Sequence, residues 1–380
     1  MRDVAIVGAG MIKFGKYYNY TLPELGEQAV VEALKDSGVA PKEIEAVYNG
    51  CAMTTFLPGQ RHVKRIGISG VPILNIENMC SSSGVALREA WIAISNGLYD
   101  VALVVGAEKL SGAQKGGPLP VDEDDIESNQ GSIMPAIYAM RARRHMVEYG
   151  LTPEQMALVT VKSRKNAALN PYTYFQKETT VEDVLNDPMV ADPLTRSMCC
   201  PVTDGAAALV VCSMERAKRY TNKPIKILAS ELSSGVFKSG FIDMTIPEIT
   251  VRGAKEAYEM AGCGPEDIDV AECHDAFAIA ELIYYEALGF CERGESAKFI
   301  SEGLSSIDGK LAVNPSGGLM SRGHPVGASG AAQLVEIVWQ LRGQAGSRQV
   351  KNAKLGLTHV TGGGIAGMDH GACCIHILEG

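Results

Sequence analysis

Apolar positions follow two rhythms along this chain. Short runs of nearly continuous Val, Ile, Leu and Ala occupy residues 4–7, 101–105 and 206–211, the pattern of strands covered on both faces, and the more mixed run Leu355-Gly356-Leu357-Thr358-His359 reads as a further strand. Elsewhere apolar residues recur every three or four positions. Leu87, Ala90, Trp91, Ile94 and Leu98 form one helical stripe, and Ala328, Ala332, Val335, Val338 and Leu341 form another. Each stripe leads into a strand, and the order strand, helix, strand predicts an α/β fold with a parallel-rich, buried sheet.

The chain also repeats itself. Residues 33–47 align without a gap to residues 257–271, an offset of 224 positions. In both copies an amphipathic helix ends at a glycine, Gly38 or Gly262, suited to the left-handed position after a helix; a proline turn and a strand follow. Two similar halves are therefore expected, 1–220 and 221–380, with the boundary near Tyr220. Residues from about 112 to 198 break the pattern with the acidic stretch 121–125 and a basic, helix-like run at 138–149, and read as an inserted loop domain.

Charge and composition remove several classes of function. The 380 residues carry 35 basic and 44 acidic side chains, a formal net charge of −9, with no basic cluster longer than 141–144, so nucleic acid is not an expected partner. No apolar run approaches the ~20 residues that cross a bilayer, and the chain enters its first strand within a few residues of Met1, so no membrane contact and a cytoplasmic address are expected. Ten cysteines with no C-x-x-C spacing predict free thiols rather than disulfides, and no metal site. Gly8-Ala9-Gly10 follows a strand, but Lys13 stands where a dinucleotide fingerprint needs its third glycine.

Four places carry candidate chemistry. Cys80, in Asn78-Met79-Cys80-Ser81-Ser82-Ser83-Gly84, falls at a helix start, where unpaired N–H groups favour a thiolate, and the small residues after it leave room for a substrate. His324, in Gly323-His324-Pro325, opens a helix at the comparable place in the second half, so a Cys/His pair across a pseudo-twofold axis is expected. Glu272-Cys273-His274-Asp275 follows the repeated strand, and Thr358-His359-Val360-Thr361-Gly362-Gly363-Gly364 ends another, its glycines allowing backbone N–H groups to approach a ligand.

With Cys199-Cys200-Pro201 ahead of Asp204-Gly205-Ala206, the His274-Asp275-x-Phe277 box and Asn314-Pro315-Ser316-Gly317-Gly318, these motifs resemble, over essentially the whole chain, the thiolase family, and most closely its sterol-carrier-protein-associated branch. The resemblance implies a duplicated five-layered αβαβα fold, a homodimer or tetramer, and coenzyme A as substrate with no permanently bound cofactor. It implies acyl transfer by cleaving or forming a 3-oxoacyl-CoA through an acyl-Cys80 intermediate. His324 would be the base, His274 would position a water, the backbone N–H groups of Cys80 and Gly362 would hold the oxyanion, and Ser316, Gly317, Phe277 and Met134 would meet the substrate. Both places where thiolases keep a second acid–base cysteine are empty here, reading Val360 and Ala276; His359 is the expected substitute and Cys273 a lesser one. Thiolases of this kind also resemble those that work with a small zinc-ribbon and OB-fold partner that binds CoA. The alternatives are a retro-aldol lyase or ketoacyl synthase on the same fold, or a non-catalytic acyl-CoA-binding subunit.

Overall fold

The structure is a computed structural model that describes residues 2–53, 56–111, 123, 125–220, 223–364 and 369–380. Its strands are β1 (Val4–Met11), β2 (Ala46–Gly50), β3 (Ile73–Ile76), β4 (Val101–Glu108), β5 (Met189–Ala191), β6 (Leu194–Thr195), β7 (Gly205–Ser213), β8 (Ile225–Ser234), β9 (Val270–Glu272), β10 (Ala312–Val313), β11 (Leu355–Gly362) and β12 (Ala372–Glu379). Strands β5 and β6 make a separate ribbon. The other ten lie in the order β10-β9-β11-β12-β8-β1-β7-β4-β2-β3.

The repeat seen in the sequence is a repeat of topology. From the edge inward, β3-β2-β4-β7-β1 pair parallel, parallel, antiparallel, antiparallel, and β10-β9-β11-β12-β8 do the same. The halves join at β1 and β8 through Ala5 opposite Lys226 and Ile6 opposite Ile225. Tyr220, the expected boundary, lies between β7 and β8. The expectation of a parallel-rich sheet needs correction, since half the pairings within each unit are antiparallel. A strand covered on both faces is apolar throughout whichever way its neighbour runs, so hydrophobicity did not carry that information.

Helices complete the layers. Leu22–Ser37 covers the outer face of the first half against Ala5, Val7, Val47 and Leu103. Glu248–Ala261 covers the second, setting Ile249, Ala254 and Ala257 among Ala229, Leu357 and Ile375. Between the halves run Ser82–Ser95 and Ser329–Arg342, whose Ala86, Leu87, Ala90, Ala331, Leu334 and Val335 share one core with residues of both halves, from Val4 and Leu209 to Ile225 and Leu378. The outer helices end alike, at Gly38 with φ +71° and at Gly262 with φ +69°.

Gly8 and Gly10 now have a reason. A Cβ on Gly8 would overlap the Ala33 carbonyl oxygen, and one on Gly10 the Ala33 nitrogen, so these glycines let β1 lie flush against its helix. The inserted region is more helical than the expected loop domain: it contains Met134–Tyr149, Pro153–Ala168 and Val181–Asn186. Lys162 ties it to the second half, pairing with Glu281 at 2.6 Å and donating to the Val313 carbonyl at 2.6 Å. Most of the acidic stretch 121–125 lies outside the described residues. No helix among the described residues is long and apolar enough to cross a membrane.

A methyl group at position 8 has nowhere to go without moving backbone. Gly8→Ala is therefore expected to lower unfolding stability by ~1–3 kcal/mol, the usual range for overpacking. Urea denaturation would measure it, and an unchanged midpoint would refute the close-approach account.

Candidate active site

Two equivalent crossovers meet at the centre of the molecule. In the first half β3 runs into a 3-10 turn, Met79–Ser81, that opens the helix Ser82–Ser95; in the second, the turn Val326–Ala328 opens Ser329–Arg342. Cys80 sits in the first turn, behind Met79, which holds the left-handed φ of +48° that non-glycine residues rarely adopt. The serines around it lock this turn. Ser82 Oγ donates to the Met79 carbonyl at 2.6 Å and accepts from Asn78 N–H at 2.9 Å, and Ser81 Oγ donates to the Asn78 carbonyl at 2.7 Å. They were expected to give a substrate room; instead they are fully buried braces.

His324 reaches across from the other half and sets Nε2 3.2 Å from Cys80 Sγ. Its Nδ1 lies 2.7 Å from Ser329 Oγ, which donates in turn to the Pro325 carbonyl at 3.4 Å. A hydroxyl that donates to a carbonyl accepts from Nδ1–H, so Nε2 presents its lone pair to the thiol. Burial pushes the Cys80 thiol up to about 12 against the N–H groups of Gly363 and Cys80 itself, which lower it, and burial followed by the Arg322 charge brings His324 down to about 3. The helix-start effect expected to make a resting thiolate is thus outweighed. The pair therefore rests neutral.

His274 completes the cluster. Its ring meets that of His324 edge-on, with centroids 5.1 Å apart, and its buried Nδ1 has no hydrogen-bond partner. Desolvation and the nearby His324, His359 and His370 hold it well below the usual imidazole range. Donor atoms of Cys80, His274 and His324 all lie within 4.8 Å of one another, the one grouping among the described residues close enough to share a metal ion, where the sequence predicted none. Gly362 ends β11 against the cysteine turn, where a Cβ would overlap the Asn78 carbonyl.

Buried carboxylates fix the frame. Glu108 accepts from the N–H groups of Ala52 at 2.9 Å, Met53 at 3.2 Å and Gly327 at 3.1 Å, tying the His324 loop to the first half. Asp275 accepts from Leu319 N–H at 2.7 Å, and Glu272 accepts from Ser316 Oγ at 2.7 Å and pairs with Arg322 at 3.3 Å. This corrects two expected substrate contacts: the Ser316 hydroxyl is spent on Glu272, and Gly317, at φ +95°, packs against Ala167 while its carbonyl accepts from Ser163 Oγ.

Two family models cover the chain. The model described as "Thiolase, N-terminal domain" matches residues 4–215, and the one described as "Thiolase C-terminal domain-like" matches residues 238–373. The chain belongs to the thiolase family. It is 40% identical over its full length to the whole of a protein named acetyl-CoA acetyltransferase from Methanothermobacter thermautotrophicus. It is 43% identical, across 96% of this chain and 95% of the relative, to the benzoylsuccinyl-CoA thiolase subunit BbsB of Thauera aromatica. Among solved structures, the "Ltp2-ChsH2(DUF35) aldolase" superposes with a TM-score of 0.86 at 27% identity, over 99% of this chain and 97% of that one.

Against the thiolase pattern the substitutes fall unevenly. Val360 packs in one apolar cluster with Cys80, and alternation along β11 turns His359 the other way, towards Thr250 Oγ at 3.0 Å and the Tyr284 ring at 4.3 Å. His359 therefore does not face Cys80 as expected. Cys273 also faces away, with Asn314 Nδ2 donating to its Sγ at 3.4 Å. Met134 approaches Gly364, beside the cysteine turn, and Phe277 stacks on Tyr138 at 4.6 Å. Tyr138 Oη lies 3.2 Å from Tyr284 Oη and 3.0 Å from His370 Nε2, a buried polar chain that sequence reading did not assemble. Its members are far apart in sequence and share no motif. Ser329 was visible as a serine among glycines, yet its role follows only from the histidine five residues earlier.

Burial holds His62 at about 4 and His324, His359, His370 and His376 at about 3. An unfolded chain takes up protons near pH 6.5 that these folded sites refuse, so stability is complete above that pH and is lost as pH falls towards the folded values. Denaturant midpoints taken from pH 7.5 to 4.5 should drop steadily below about 6.5; a flat profile would contradict neutral burial.

Proposed function

We propose that this thiolase-type acyltransferase carries its acyl group on Cys80 while it cleaves or forms a 3-oxoacyl-CoA. The 3.2 Å approach of His324 Nε2 to Cys80 Sγ supports this reading most directly. As Sγ attacks the keto carbonyl, His324 takes the thiol proton through its exposed lone pair. The carbon–carbon bond then breaks, leaving an acyl thioester on Cys80 and an enolate of the departing CoA thioester. Incoming CoA accepts the acyl group, and the Cys80 thiolate recovers its proton from His324.

His274, with an unpartnered Nδ1 beside His324, suits a water that polarises the departing thioester's carbonyl. Backbone N–H groups of Cys80 and of the Gly362–Gly363 turn suit the oxyanion of the tetrahedral intermediate. No resident cofactor enters these steps; coenzyme A is a substrate. Phe277, Tyr138 and Met134 supply an apolar side for the acyl group.

The resemblance to a solved aldolase raises the alternative of retro-aldol cleavage. That reaction needs no acyl-enzyme, and a cysteine turn held by two buried serines opposite a histidine whose Nε2 lone pair faces the thiol favours acyl transfer. Two partner relations belong to the same proposal. Among the described residues, edge strand β3 has no strand on its outer side, and Leu74 is exposed there, which suits pairing with a second copy of this chain. The relative named as a subunit, and the solved assembly whose title names a DUF35 protein, support a partner protein, which this reading takes to be a small zinc-ribbon and OB-fold protein that binds CoA.

Incubation with acyl-labelled 3-oxoacyl-CoA should label the wild-type chain and leave Cys80→Ser unlabelled; labelling of the variant would sink the proposal. His324→Ala should retain the fold and lose ~10²–10⁴-fold in thiolysis, the usual contribution of a positioned base. A loss below tenfold would remove His324 from that role.

A further inference from the structure

Carbon–carbon cleavage leaves an electron pair on the carbon beside the departing thioester, and that carbon must gain a proton. In the second half of the cycle the incoming CoA thiol must lose one. His324 cannot serve both needs, because it holds the Cys80 proton throughout the acyl-enzyme stage. Val360 and Ala276 carry no titratable group.

The strand-like segment between β6 and β7 brings a thiol to this place. Cys199 bridges antiparallel to Phe277, and Cys200 N–H donates to the Ala276 carbonyl at 2.9 Å. Cys200 thus lies directly opposite Ala276, and residues opposite each other in an antiparallel pair project to the same face, with Cα atoms ~5.5 Å apart when hydrogen-bonded. Two residues on, Val202 bridges in parallel to His324 and packs on the apolar cluster of Cys80 and Val360. In an extended chain Cys200 and Val202 share that face, whereas Cys199 turns away and directs its Sγ to the Thr195 carbonyl at 3.5 Å. Burial first, then the charges of Cys199, Cys80 and Asp275, hold the Cys200 thiol well above its usual value, so it is protonated when cleavage begins.

We propose that Cys200 is the second acid–base residue, supplied by the strand opposite Ala276. The inference rests on the acyl-Cys80 reading. In thiolysis the Cys200 S–H bond breaks and its proton passes to the enolate carbon, giving the departing acyl-CoA and a Cys200 thiolate. That thiolate then takes the proton of incoming CoA as the CoA sulfur attacks the acyl-Cys80 thioester. Synthesis reverses both transfers.

Alkylation separates the roles. Reaction of Cys80 with iodoacetamide needs Cys80 and His324 but moves no proton through Cys200. Deuterium uptake into the acetyl methyl group, and thiolysis of acetoacetyl-CoA, need the second group. Cys200→Ala is expected to slow thiolysis and deuterium uptake by ~10²-fold or more while alkylation of Cys80 stays within a few-fold. Cys199→Ala should change neither. Returning the thiol from the facing strand, in the double variant Cys200→Ala with Ala276→Cys, should restore part of the lost thiolysis. Near-normal thiolysis and deuterium uptake in Cys200→Ala would overturn the proposal, as would loss of Cys80 alkylation along with thiolysis and no rescue by the double variant. Retained acyl labelling in Cys80→Ser would instead overturn the underlying acyl-Cys80 reading.

Discussion

The 3.2 Å contact between a buried thiol and a buried imidazole is the constraint around which the molecule is arranged. Each group alone is driven to its neutral form by desolvation, sulfur to about 12 and imidazole to about 3. A charged pair is therefore not stored at rest; in the proposed mechanism it forms during attack and must be stabilised only then. The backbone N–H groups of Gly363 and Cys80 are already in place and need little reorganisation at that moment.

Such a contact demands positional precision from segments far apart in sequence, and buried carboxylates supply it. Glu108 gathers the N–H groups of two loops from opposite halves, while Asp275 and Glu272 hold the chain that ends in His324. These acids are satisfied by several donors apiece, which lets them remain in the interior. The local strain at Met79 belongs to the same economy of placement: a turn in the left-handed region aims the next side chain out of the helix start and into the space between the halves.

Much of this was legible in the sequence. The repeated helix, glycine, proline and strand announced the duplication, and Cys80 and His324 could be paired because they open equivalent helices. Strand direction was not legible, since apolar runs look alike in both directions. Ser316 and Gly317 were expected to meet the substrate only because the thiolase resemblance implied it; here Glu272 is buried beneath them and claims the hydroxyl. His359 stood beside the vacant cysteine position in sequence, but strand alternation sends neighbours to opposite faces. The partners of Glu108 and Cys200 depend on pairing between distant segments, which no local pattern encodes.

Duplication within one chain has a chemical consequence. Two identical units facing each other about a true twofold axis would present like against like, sulfur to sulfur or ring to ring. Joining the units in a single polypeptide lets the two crossovers differ, so one presents a thiol and its counterpart an imidazole. That asymmetry at the axis makes a packing interface able to pass a proton.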